Sequence, residues 1–279
     1  MHRSDFERYI HDIFSQYIED GRRDVARNPQ TSLSTLLPSE VVIGLQKWLS
    51  ELRSTTIWVE GEVVERFGSG LSVAALRLCD ASKEIGIPCI SFICKQIYSF
   101  ANNPSSSDKA GKKRSRLDRH EASLIALLYS VIAQLIYLLP DDPFPANPVL
   151  EKSNFERLDG TMASAPTALQ IIRELAAHAP PSLIWILDNI QLVESRSTMP
   201  YLREFVEFLR DQERKSNAAY EEKKKPYSKV CFTTDGNSWL LSRTIGVRER
   251  LDASQMAQRR PGRPFMGGAD VGELGRRKR

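Results

Sequence analysis

Residues 55–95 narrow the possible folds more than any other stretch. Thr55-Thr56-Ile57-Trp58-Val59-Glu60-Gly61 is a β-branched and apolar run that stops at a glycine. A glycine-bearing loop follows to Gly70, and Leu71-Ser72-Val73-Ala74-Ala75-Leu76-Arg77-Leu78 opens a helix. After a turn at Gly86, Ile87-Pro88-Cys89-Ile90-Ser91-Phe92-Ile93-Cys94 is a second apolar run. Strand, glycine loop, helix and strand in this order read as a βαβ unit. Such a unit sets free backbone N–H groups at a helix N-terminus, where anions bind.

The rest of the chain repeats the alternation. Residues 4–20 carry Phe6, Ile10, Ile13, Phe14, Tyr17 and Ile18 at helical spacing, with Ser4 as the expected N-cap and Gly21 as the stop. A link at 28–38 leads into a helix through Val41, Val42, Leu45, Trp48, Leu49 and Leu52. Residues 100–119 read as a disordered insertion holding the basic cluster Lys112-Lys113-Arg114-Ser115-Arg116. An apolar helix is expected over 122–139 and another over 168–178. Ser182-Leu183-Ile184-Trp185-Ile186-Leu187-Asp188 is then a continuous apolar run closed by an aspartate. A run without alternation is the signature of a strand buried on both faces, as in parallel sheets. An amphipathic helix over 200–214, a strand over 229–236 and a last short strand within 247–253 complete the pattern. Strands separated by helices in this way predict an α/β fold with a mostly parallel sheet.

Composition removes several function classes. The chain's net charge is +4, yet Arg259, Arg260, Arg263, Arg276, Arg277, Lys278 and Arg279 against Asp270 and Glu273 give the tail +5, leaving −1 for the rest. The basic balance therefore belongs to a tail and not to a folded binding face, which argues against nucleic-acid binding. The four cysteines lie in apolar segments without a CxxC or Cys/His pairing, and the four histidines are scattered. Free thiols in a reducing compartment are expected, and no metal site of that type. The N-terminus has no apolar leader, and 122–139 contains Ser123, Ser130 and Gln134. It reads as a buried helix and not a membrane span. The expected location is intracellular and cytoplasmic, with a nuclear address as the alternative carried by the basic clusters.

Polar residues gather where strands end. A P-loop uses glycines to wrap phosphate, a lysine to reach the outer phosphates and a Ser/Thr on Mg²⁺. In Gly68-Ser69-Gly70-Leu71-Ser72, Gly70 and Ser72 occupy the places of the Gly and Ser of G-K-S, while Leu71 replaces the lysine. Gly61 lies nine positions before Gly70, so the loop is about four residues too long. Loss of a charged donor costs roughly 1.5–3 kcal/mol, about ten- to a hundredfold in affinity. Glu62 and Glu65 add repulsion, and Arg66 is the candidate substitute cation. Asp188 is the residue type that holds Mg²⁺ through water together with Ser72; its bland reading is a cap or turn. Thr233-Thr234-Asp235 reads either as a polar sensor of the γ-phosphate or as an ordinary turn.

With these residues the chain resembles the P-loop NTPases of the STAND/NACHT type, and more closely a fungal group of NACHT-like proteins with degenerate motifs. The resemblance covers about 55–254 and rests on Ile57-Trp58-Val59-Glu60-Gly61, Gly70-Leu71-Ser72, the helix 126–135, Ile184-Trp185-Ile186-Leu187-Asp188 and Phe232-Thr233-Thr234-Asp235. It implies a P-loop NTPase-like three-layer sandwich with strand order 5-1-4-3-2, flanked by an N-terminal helical segment (1–54) and a disordered basic tail (255–279). It further implies ATP- or GTP-gated signalling with Mg²⁺. The missing lysine, and the absence of an acidic neighbour after Asp188, turn that expectation toward a signalling or interaction module that binds nucleotide weakly or not at all and works through protein partners. The alternatives are an active Mg²⁺-dependent NTPase with a non-lysine phosphate contact, and nucleic-acid binding through the basic loop and tail.

Overall fold

A computed structural model of the 279-residue chain describes residues 2–27, 36–63, 69–102, 117–141, 147–218, 227–254 and 268–270. In chain order the elements are α1 (Arg3–Tyr9), α2 (Arg22–Arg27), β1 (Leu36–Pro38), α3 (Ser39–Ser50), β2 (Thr55–Gly61), α4 (Gly70–Glu84) and β3 (Cys89–Ile93). Then come α5 (Ser99–Asn102), α6 (Arg119–Leu138), α7 (Lys152–Glu156), α8 (Ala165–His178) and β4 (Leu183–Asp188). The last are α9 (Met199–Ala218), β5 (Ser228–Asp235), α10 (Trp239–Thr244), β6 (Arg250–Asp252) and β7 (Gly268–Asp270). The chain divides into two compact units. The first comprises Met1–Asp20, Cys94–Pro180 and Leu192–Phe205; the second comprises Gly21–Ile93, Pro181–Gln191 and Val206–Arg279. Residues 1–54, grouped by sequence as one segment, are thus shared between the two.

The first unit is helical and built on α6. Asp118 caps this helix by accepting from the Glu121 amide at 2.8 Å, while the Glu121 carboxylate accepts from the Asp118 amide at 3.2 Å, a reciprocal capping box. By length and composition alone α6 could cross a membrane (mean hydropathy 1.7), but 78% of that window is buried within the structure. It packs against α8 and α1. The helix expected over 4–20 is not one regular helix: α1 passes into a π-turn at Ile10–Phe14 and a 3₁₀ turn at Ser15–Tyr17. The reason is spacing. The buried residues Phe6, Ile10 and Phe14 recur every fourth position, wider than the 3.6 of an α-helix, and a π-turn restores their alignment. Phe14 and Tyr17 then meet the Tyr129 ring edge-on at 5.7 Å. Gly160, at φ +79°, leaves room for Tyr17, whose ring would lie 2.3 Å from a Cβ there.

The second unit holds a five-stranded sheet in the order β3-β4-β5-β2-β6, and all four pairings are parallel. This α/β architecture, with a parallel sheet and covering helices, is the coarse fold expected from the apolar runs. Side-chain alternation sorts the sheet into two faces. Ile57, Val59, Ile184, Ile186 and Cys231 pack with Val41, Leu45 and Trp48 of α3 and with Leu71, Ala74, Ala75 and Leu78 of α4. On the opposite face Trp185 meets Phe208 edge-on at 6.3 Å, and Thr56 donates to Glu213 at 2.6 Å. Both faces are buried, which explains why these strands read as unbroken apolar runs. Within the segment read as a disordered tail, β7 pairs antiparallel with β1, Leu37 opposite Ala269. The other residues of 255–279 lie outside the described ones.

Candidate functional site

The carboxyl ends of β2, β4 and β5 meet the N-terminus of α4 in the second unit. Register explains the meeting. Asp188 pairs with Thr233 across β4 and β5, and both share the sheet face that carries Ile186 and Cys231, the face covered by α4. Helix α4 starts at Gly70 because Ser69 caps it, its hydroxyl accepting from the Ser72 amide at 3.2 Å. Ser72, one turn in, is wholly buried and faces the sheet.

Asp188 is enclosed by donors. Thr233 donates to its Oδ1 at 2.6 Å, Ser72 donates to its Oδ2 at 2.6 Å, and the Asn189 amide donates to the same Oδ2 at 3.0 Å. Asn189 Nδ2 also reaches Ser72 Oγ at 3.2 Å. The Asn189 carbonyl accepts from the Asp235 amide at 3.2 Å and from Gln191 Nε2 at 2.8 Å. Asn189 holds this position at φ +60°, a left-handed conformation that asparagine tolerates better than most residues. Burial pushes the Asp188 carboxyl up to about 7, and nearby Asp235 adds to the shift, against the opposing pull of Ser72, Thr233 and Asn189. Burial likewise raises Asp235, opposed by hydrogen bonds from Ser69 and Asn189.

The sequence-derived site residues fall into three groups. Ser69, Gly70, Ser72, Asp188, Thr233 and Asp235 come together. Thr234 faces the other side of the sheet, where its hydroxyl accepts from Trp58 Nε1 at 2.9 Å. Leu71 stands in the lysine's place but is buried in the core at 4% exposure. It lies over Gly61, where a Cβ would come within 2.7 Å of Leu71 Cδ1. Gly61 therefore serves helix packing at the strand end. Arg66 and Gly68 lie outside the described residues. Asn189 and Gln191, which sequence reasoning did not single out, tie the cluster together.

This chemistry bears directly on an Mg²⁺-nucleotide. Ser72 and Asp188 are the right residue types for the metal, but each already serves as the other's partner, and the amide of Asn189 offers no basic atom to activate water. Leu71, in the position of a P-loop lysine, is an apolar core residue, and Arg66 lies outside the described residues. Among the described residues no group of three or more His, Cys, Asp or Glu side chains could hold a metal ion. Compared with family models, curated proteins and solved structures, the chain matches none.

Proposed function

We propose that this chain is a nucleotide-binding-fold protein of the degenerate NACHT-like kind, working as a signalling or interaction module and not as an efficient NTPase. The closure of Asp188 by Ser72, Thr233 and Asn189 carries this reading. It keeps the residue types of a phosphate and Mg²⁺ site while spending their hydrogen bonds internally. The parallel order β6-β2-β5-β4-β3 supports the fold assignment, since counted within the sheet it reads 5-1-4-3-2.

The test is the thermal midpoint with and without millimolar Mg-ATP or Mg-GTP, on the wild type and Asp188→Asn. A ~10 μM site at ~1 mM ligand adds about 2.7 kcal/mol. The expected result is a shift well below that equivalent for either nucleotide. A shift of several degrees, lost in the variant and joined by Mg²⁺-dependent turnover, would establish the NTPase instead.

A further inference from the structure

The first unit contains a cavity of about 550 Å³ at the start of α6, within the ~300–1,000 Å³ range of small-molecule sites. Its apolar walls come from Ile97, Tyr98, Ala101, Leu117 and Ala122. Gln96, Asp118 and Arg119 supply the polar part of the lining. Alanine at 101, in α5, and at 122, in α6, keeps side-chain volume off the walls. Tyr98 is 1% exposed and fixed through its hydroxyl, which donates to Cys94 Sγ at 3.4 Å and accepts from the Lys95 amide at 2.9 Å. Its ring is what remains for a ligand. Ile97, beside it, is 69% exposed.

We propose that this cavity binds a free apolar α-amino acid. Two neighbouring residues of opposite charge line it with atoms to spare. Asp118 Oδ1 accepts from the Glu121 amide at 2.8 Å in the α6 cap, which leaves Oδ2. Arg119 Nε donates to His120 Nε2 at 3.1 Å, which leaves both Nη atoms. Among the described residues neither side chain enters an ion pair. A zwitterion uses both: its ammonium donates to Asp118 Oδ2 and its carboxylate accepts from the Arg119 Nη atoms, as charge-assisted hydrogen bonds. The Gln96 amide can serve either group. The ligand's side chain then lies against Ile97, the Tyr98 ring and the two alanines, where burial of apolar surface adds affinity.

The same lining sets what is refused. A ligand with only a carboxylate meets the Asp118 charge, and one with only an ammonium meets Arg119. Phosphate esters carry more negative charge and fare worse beside Asp118. A charged side chain on the amino acid would be desolvated against apolar walls. Specificity therefore needs three features together: the amine, the carboxylate and an apolar side chain.

The experiment titrates the full-length chain with L-phenylalanine, L-tryptophan and L-leucine by calorimetry, and with 3-phenylpropionate, 2-phenylethylamine and L-glutamate as controls. The expected result is saturable binding of at least one apolar amino acid with Kd below ~1 mM, and each control at least tenfold weaker. Asp118→Asn keeps the helix cap, because asparagine caps as well as aspartate, yet should weaken binding at least tenfold. Arg119→Gln should do the same, and Ala122→Leu, which fills the cavity, should abolish binding. No binding of any of the three amino acids would overturn the proposal. Phenylpropionate or phenylethylamine binding as tightly as phenylalanine would also overturn it, as would unchanged affinity in Ala122→Leu. The ligand series on the wild type decides the matter even if a variant does not fold.

Discussion

The face of the sheet that packs against α3 and α4 buries one charged group at each end, and the two are satisfied in opposite ways. At the carboxyl end, Asp188 is held by side chains: two hydroxyls and an amide. At the amino end, Lys229 is 1% exposed and donates Nζ to the backbone carbonyls of Trp48 and Leu49. Its ammonium lies 5.3 Å from the Trp48 ring centroid. Those carbonyls belong to the last turn of α3, where no intrahelical donor remains and a cation is favoured. A helix-end carbonyl cannot turn away without unwinding the helix, whereas a hydroxyl can rotate toward a new partner. The lysine end is held by backbone and the aspartate end by side chains that can rotate.

Removing one side of each arrangement should separate them. The largest loss is expected for Asp188→Ala, which removes the acceptor shared by Ser72, Thr233 and Asn189 and should lower stability by about 2–4 kcal/mol. Urea unfolding should then show a lower midpoint at unchanged slope. Lys229→Met keeps the aliphatic stem but leaves the α3 carbonyls unpaired, and should lower stability by about 1–3 kcal/mol in the same assay.

pH sharpens the contrast, because the two groups act with opposite signs. The Asp188 carboxyl is raised from 3.8 to about 7, so the folded chain holds that proton more tightly than the unfolded one. Its stabilisation is complete below pH ~4 and fades as pH rises through ~7, with a slope of up to about 1.4 kcal/mol per unit. Asp188→Asn should flatten that slope. Lys229 is lowered from 10.5 to about 8, burial being the main cause. Its contribution is complete above pH ~10.5 and is lost as pH falls through ~8. Lys229→Met should remove the rise on that alkaline side. The smallest effect is expected for Asn189→Gly, about 1 kcal/mol or less, since glycine suits φ +60° while the amide's hydrogen bonds are lost.

What could be read from sequence followed the physics of burial. The strands β2, β4 and β5 and the helix α6 stood out because continuous apolar runs ended at turn residues, and Asp188 and Ser72 were legible because each sits where such a run stops or a helix starts. The role of Leu71 was also written in the sequence: Leu71, Ala74, Ala75 and Leu78 form an i, i+3, i+4, i+7 stripe, so the residue in the lysine's place was on the core side of its helix. Thr234 was misplaced by treating Thr233-Thr234-Asp235 as a block, when strand alternation sends neighbouring residues to opposite faces. Asn189 and Gln191 gave no periodic signal, and the β1–β7 pair joins three-residue strands more than two hundred positions apart, beyond any local pattern.

Gly61 carries a consequence for how this chain could change over generations. Because residue 61 has no side chain, Leu71 fills the space above the end of β2. A lysine at 71 would put an ammonium into that space, and a side chain at residue 61 would press on the leucine. The two positions are therefore coupled: what residue 61 can carry depends on where the Leu71 side chain sits.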